Sequence, residues 1–189
     1  MRGLLLVAMA VLTGCAAGPL AQAPGALTDV QERNKRTLQQ YLSADSPEAA
    51  ERVLSPTYRP RLLAWDTSLH PHRTVSLLAV NEDAAIAVIH EDNDFSRLIG
   101  HPGWDGTLTV LFNPDGAITA THFTPTPGKN PSWGPYMDAA MPWLREHRAA
   151  ELEVVFPDHH LRQDAEGART WARILREWRA ATGRAPVGE

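Results

Sequence analysis

The sequence predicts an α+β fold in which an antiparallel sheet packs on N-terminal helices and a helical extension follows. Three observations predict it. Residues 106–124 alternate in hydrophobicity about a turn, residues 28–54 carry two capped helix starts, and residues 165–181 place apolar side chains at helical spacing.

The first observation is a β-hairpin. Leu108, Val110 and Phe112 alternate with Thr107, Thr109 and Leu111. Asn113-Pro114-Asp115-Gly116 then interrupts the run with turn chemistry. Proline pre-sets φ, the Asn and Asp side chains bond nearby amides, and glycine accepts positive φ. Ile118, Ala120 and His122 resume the alternation against Thr119, Thr121 and Phe123. Residues 74–80 and 84–90 predict two further strands around Asn81-Glu82-Asp83. The second is apolar at every position before His90, which predicts cover on both of its faces. Residues 91–105 read as a polar loop, with His101 and Trp104 near its end.

The second observation is at the N-terminal side. Thr28 and Gln31 fit a capping box, with Leu38, Tyr41 and Leu42 as the apolar stripe of the helix that follows. Ser46-Pro47 starts a second, short helix, a serine cap followed by proline at the first helical position. Residues 58–65 read as extended.

The third observation is the clearest helix, residues 165–181. Trp171, Ile174, Leu175 and Trp178 line one face, and Arg169, Arg173 and Arg176 another. Before it, residues 125–135 are rich in proline and glycine and mark a domain edge. Tyr136, Met137, Ala140, Met141 and Leu144 make a helical stripe kinked at Pro142. Residues 151–156 and 160–163 read as a small hairpin around Pro157-Asp158-His159.

The first fifteen residues carry an address. Arg2 supplies a positive start, and residues 4–12 are an apolar core too short to span a bilayer. Leu12-Thr13-Gly14-Cys15 resembles the lipobox of bacterial lipoproteins, which implies lipidation of Cys15, the one cysteine of the chain. Ala16 after the cysteine, by resemblance to Gram-negative lipoproteins, implies an outer-membrane anchor facing the periplasm. The alternative is an ordinary secretory signal with an incidental cysteine. The organisation is then signal and lipobox 1–15, flexible tether 16–27, α+β domain 28–125 and helical extension 126–184.

The order helix, helix, strand meander ending in an -NPDG- hairpin resembles the nuclear transport factor 2-like superfamily, which includes SnoaL-like polyketide cyclases and ketosteroid isomerases. The resemblance is carried by residues 30–54, 74–90 and 111–118. It implies a curved, cone-shaped sheet around a cavity. Two departures stand out: no third helix is evident between Tyr58 and Thr74, and the chain runs well past the usual end of the family domain. Because such a fold hosts many activities, function must come from the site.

Composition excludes little. Hydrophobic content is 43% and charged content 21% over 189 residues. The net charge of −4 gives no overall basic footprint for nucleic acid. No phosphate-binding loop, dinucleotide fingerprint, HxH or HExxH spacing is present, so neither cofactor nor metal is expected. Asp158-His159-His160 reads as a solvated turn, since adjacent strand residues face opposite ways.

Alternation places His90 and His122 at the ends of two apolar faces, at one end of the sheet and two strand spacings, roughly 10 Å, apart. Histidine titrates near neutral pH and serves as acid or base, so these two with Asp92 are the candidate catalytic groups. Their alternative is a strand-end role with bonds to nearby backbone. Trp104, Asp94, Trp65 and Tyr41 are the candidate ligand contacts. The arginine face of the last helix admits contact with an anionic bilayer, against the simpler reading of a docked helix with a solvated face. The leading function is non-catalytic, the binding of a small apolar ligand or an envelope protein. The alternative is a cyclase, isomerase or hydrolase acting through the histidines and a loop acid.

Overall fold

The computed structural model describes residues 27–184. The signal, the lipobox with Cys15 and nearly all of the tether lie outside the described residues.

The α+β class is as predicted. Helix α1 (Asp29–Leu42) begins with the expected capping box. Thr28 Oγ1 accepts from the Gln31 amide at 3.2 Å, and Gln31 Oε1 accepts from the Thr28 amide at 2.9 Å. Ser46 caps α2 (Pro47–Glu51) by accepting from the Ala49 amide at 3.1 Å. The chain then runs beside the last strand, where Ile118 N donates to Val53 O and Ser55 N to Ile118 O. Residues 58–65 are not all extended, because α3 (Leu63–Ser68) occupies their end.

Strands β1 (His72–Val80), β2 (Ala84–Asp92), β3 (Trp104–Phe112) and β4 (Ile118–Pro125) form one antiparallel meander in that order. The β3–β4 turn uses the expected residues. Asn113 Oδ1 accepts from the Ala117 amide at 2.8 Å, and Gly116 takes a φ of 83° that other residues rarely adopt. The inner face of the sheet carries Ala85, Ala87, Ile89, Leu108, Val110, Phe112 and Ile118, buried with Leu38 and Leu54 of the N-terminal segment. Ile86 and Val88 point the other way and are only partly buried, so the expected cover on both faces of β2 is incomplete.

Two segments differ from the sequence expectation. Residues 91–105 are not a loop: β2 continues to Asp92, α4 (Asp94–Ile99) follows, and β3 starts at Trp104. Asn93 caps α4 through the Ser96 amide at 3.0 Å, and Phe95, Leu98 and Ile99 are its buried stripe. Residues 151–156 are not a strand but most of α7 (Ala149–Val155), and Pro157–His159 is a 3-10 turn. Leu152 and Val155, three apart, are its buried pair, so the helical period wins over the strand preference of the two valines.

The C-terminal segment also contains α5 (Gly134–Met137), α6 (Met141–His147) and α8 (Ala165–Ala181). Pro142 sits in the first turn of α6 and separates it from α5, as the kink expectation implied. Asp164 caps α8 by accepting from the Gly167 amide at 2.7 Å. Trp171, Ile174, Leu175 and Trp178 are all buried, while Arg169, Arg173 and Arg176 are exposed. This helix packs against α3 and α4, so its tryptophans serve an interior.

Candidate functional site

A cavity of about 520 Å³ opens between the inner face of the sheet, helices α3 and α4, and the segments that carry Trp133 and Leu161. Tyr41 from α1, Tyr58 and Leu62 before α3, and Trp65 and Asp66 of α3 form one side. The sheet supplies Arg73, Ile89, Glu91, Trp104, Leu108, Thr121 and Phe123. Phe95 of α4 with Trp133, Leu161 and Gln163 closes the remaining side. The volume and a wall that combines seven aromatic rings with charged and polar groups suit a small organic ligand.

The aromatic walls are held by neighbours. Phe95 meets Trp65, Trp133 and Trp171 edge to face at 5.7, 6.3 and 5.8 Å between ring centres. His101, buried, lies 4.7 Å from the Trp104 ring. It accepts from the Gly103 amide at Nδ1 (3.0 Å) and donates from Nε2 to the Pro131 carbonyl at 2.9 Å, an assignment that makes it a neutral structural ring. Asn130 adds a second staple, accepting from Asp105 N at 2.8 Å and donating to Asp105 O at 2.8 Å. Together these bonds place Trp133 over the sheet. Gly106 is needed beneath Phe123, because a Cβ there would collide with the Phe123 ring.

The polar end of the cavity is Asp66, Arg73 and Glu91. Arg73 and Glu91 are register partners on β1 and β2, which puts both side chains on the inner face. Their Nε–Oε2 distance is 2.5 Å, and Arg73 Nη1 also donates to the Leu42 carbonyl at 3.1 Å. Asp66 makes no side-chain hydrogen bond or ion pair among the described residues. Burial, reinforced by the negative charge of Glu91 and only partly offset by Arg73, pushes its carboxyl up to about 7. Burial likewise pushes the Tyr41 phenol up to about 12. Tyr58 is anchored, its hydroxyl 2.7 Å from Thr121 Oγ1 and accepting from the Thr121 amide at 2.8 Å.

Of the residues singled out from sequence, Tyr41, Trp65 and Trp104 line this cavity. His90, His122, Asp92 and Asp94 do not. The inner face of β2 is Ala85, Ala87, Ile89 and Glu91, which leaves His90 on the outer face, 3.2 Å from Asp105. On β4 an extra residue, Thr119, intervenes: Phe112 pairs with Ile118 but Leu111 pairs with Ala120. This bulge reverses the parity after Ile118, so Thr121 and Phe123 face the cavity and His122 faces outward. The histidines are not at one end either. His90 lies opposite Asp105, whereas His122 lies opposite Thr109, which pairs with Ile86. Four residues along and two strands across separate the pair by roughly 16 Å. The expected convergence of the two imidazoles on one pocket is therefore corrected.

Asp92 and Asp94 belong to a clamp. Arg97 donates to Asp92 at 2.7 Å and to Asp94 at 2.8 Å. Asp94 also receives Arg176 of α8 at 2.7 Å and lies 2.9 Å from His70 Nδ1. Burial works against the charged form of Asp94, but the bonds from His70 and Arg97 and the charge of Arg176 outweigh it and hold the carboxyl below its usual range. This fastens α8 to α4 and carries no ligand chemistry. No group of three or more His, Cys, Asp or Glu side chains among the described residues could hold a metal.

Sequence reasoning missed Arg73 and Glu91 as site residues and left Asp66 without a role. A signal existed: Glu91 continues the alternation Ala87, Ile89 and so puts an acid on an apolar inner face. No family model and no curated protein matches this sequence.

Proposed function

We propose that this protein binds a small, mainly apolar molecule in the cavity between the sheet and helices α3 and α4, without transforming it. The observation that carries this reading is the cavity itself: about 520 Å³, walled by aromatic rings, with one acid, Asp66, left unpaired at its polar end. In this reading the chain is an envelope lipoprotein. Cys15 carries the lipid, residues 16–27 form the tether, and the domain faces the periplasm from the outer membrane. The order of its helices and meander keeps the resemblance to the nuclear transport factor 2-like superfamily as the proposed kinship.

Native mass spectrometry of protein released from its host's membranes tests the binding. A co-purifying mass that disappears in Leu62→Trp, a change that fills the cavity, is the expected result. A ligand-free wild type that captures a second protein through another surface instead supports the envelope-protein reading. For the anchor, wild type partitions into detergent and Cys15→Ala does not. A fully water-soluble wild type with another N-terminus ends the lipoprotein reading.

Catalysis is the second reading, favoured by one observation: a carboxyl held near 7 inside an apolar cavity can act as acid or base at neutral pH. Here Asp66 takes the role first sought in His90 and His122. Asp66→Asn that keeps ligand binding while abolishing conversion of the recovered ligand supports an enzyme, and unchanged ligand after incubation with wild type opposes it.

A further inference from the structure

We infer that the cavity selects a cationic ligand, a small hydrophobic molecule with an ammonium group that sits against Asp66 and among the surrounding aromatic rings. This rests on the binding reading above and names the class of ligand.

Of the charges in the cavity, those of Glu91 and Arg73 answer each other. Glu91 is taken by Arg73 Nε, and a further Arg73 nitrogen is spent on the Leu42 carbonyl. Asp66 has no side-chain partner among the described residues. Half-buried and without a partner, the Asp66 carboxylate opens into the cavity, and the site favours taking up a positive charge there, whether a proton or an ammonium group. The neighbouring field agrees. The groups acting on Asp66 are Glu91 of β2 and Arg73 of β1, and the negative one is stronger. Tyr41 of α1, kept neutral by burial, adds no charge. Arg61 is the other cation at the cavity, but it is exposed at the edge, where solvent screens it.

The walls add the second element. Tyr41, Tyr58, Trp65, Trp104 and Trp133 present aromatic rings to the same space. Ring faces attract cations, most strongly when both are out of water. A carboxylic acid with aromatic neighbours therefore favours an organic cation over an anion, which would meet the unpartnered Asp66. A neutral ligand is accommodated only when Asp66 holds its own proton.

Phenyltrimethylammonium and its neutral isostere tert-butylbenzene test this on the full chain, by calorimetry and tryptophan fluorescence at pH 8. The cation binding at least tenfold more tightly than the isostere is expected. Its affinity should fall by up to tenfold per pH unit below about 7 as protons compete for Asp66, with no such slope for the isostere. Asp66→Asn should erase the preference, and Asp66→Glu, which keeps the charge, should retain it, so loss of folding in one variant leaves the other informative. Equal binding of both probes, blocked for both by Leu62→Trp, overturns the cationic class and leaves the cavity reading standing. If neither probe binds wild type at millimolar concentration, both fall together.

Discussion

The two interiors of this molecule are both mainly aliphatic and differ in the rings they add. The sheet closes on α1 and α2 with aliphatic side chains: Leu38, Leu54, Val80, Ala85, Ala87, Ile89 and Val110 are all buried. The C-terminal helices close on α3 and α4 with aliphatic side chains too, but they add the buried rings of Trp65, Phe95, Trp171 and Trp178 and the ion pairs around Asp94. Branched aliphatic chains on a pleated surface fill space at short range. The cavity lies between the two interiors and draws its wall from both.

Removing one ring should break the helical interior most. Trp171→Ala deletes a ring that contacts Phe95 and Phe156 and donates to the Val155 carbonyl at 3.3 Å. A loss of roughly 3–5 kcal/mol in denaturant unfolding is expected, against about 2 kcal/mol for Val110→Ala in the sheet. A loss below about 0.5 kcal/mol would mean that α8 is not docked and would restore the bilayer reading of its arginine face.

Asp66→Asn should act with the opposite sign. A carboxyl whose folded value lies above its unfolded one contributes stability that is complete below about 4 and is lost as pH rises through about 7. The variant should therefore gain stability relative to wild type at pH 8 and little at pH 4. The gain is on the order of 2 kcal/mol, about half of what the full shift would give, because cavity water offsets part of the burial. Paired thermal melts at the two pH values measure it.

Asp94→Asn should loosen only the helical side. Its carboxyl is depressed, so its contribution is present above the unfolded value and lost as pH falls through the folded one. A cost of roughly 1–2 kcal/mol is expected, with faster amide exchange in α8 and unchanged exchange in β2 and β3. Equal acceleration in both regions would show that the two interiors open as one unit.

The smallest effect belongs to the histidines. His122 is exposed and His90 sits on the outer face beside Asp105. Replacing both with glutamine should change stability by less than about 0.5 kcal/mol and leave ligand binding intact. A large loss of binding would relocate the site to the outer face of the sheet.

What could be read from sequence follows the same division. Period-two alternation and the -NPDG- turn located the hairpin, because strand geometry and turn chemistry are local. Thr28, Ser46 and the Trp171–Trp178 stripe located helices for the same reason. The misses were tertiary. The α4 helix hid among acids although Asn93 and the spacing of Phe95, Leu98 and Ile99 were its signals. The α7 helix reads as a strand through Val154 and Val155, and only its packing decides otherwise. The inner face of β2 was undecidable because both faces are apolar, and the bulge at Thr119 reverses β4 without any glycine to announce it. Three of the cavity's aromatic residues were identified, but its polar end was not. The Arg73–Glu91 pair depends on strand register, and the isolation of Asp66 depends on what surrounds it.

A cation-selective cavity requires that the half-buried Asp66 carboxyl at the seam between the two interiors be shifted well above the solvated range. Its titration, followed by the side-chain carboxyl carbon resonance and assigned by its absence in Asp66→Asn, reads that directly. A midpoint near 7 is the result expected. A midpoint near 4, the value of a solvated aspartate, would mean that the seam is open water and that the site lies elsewhere.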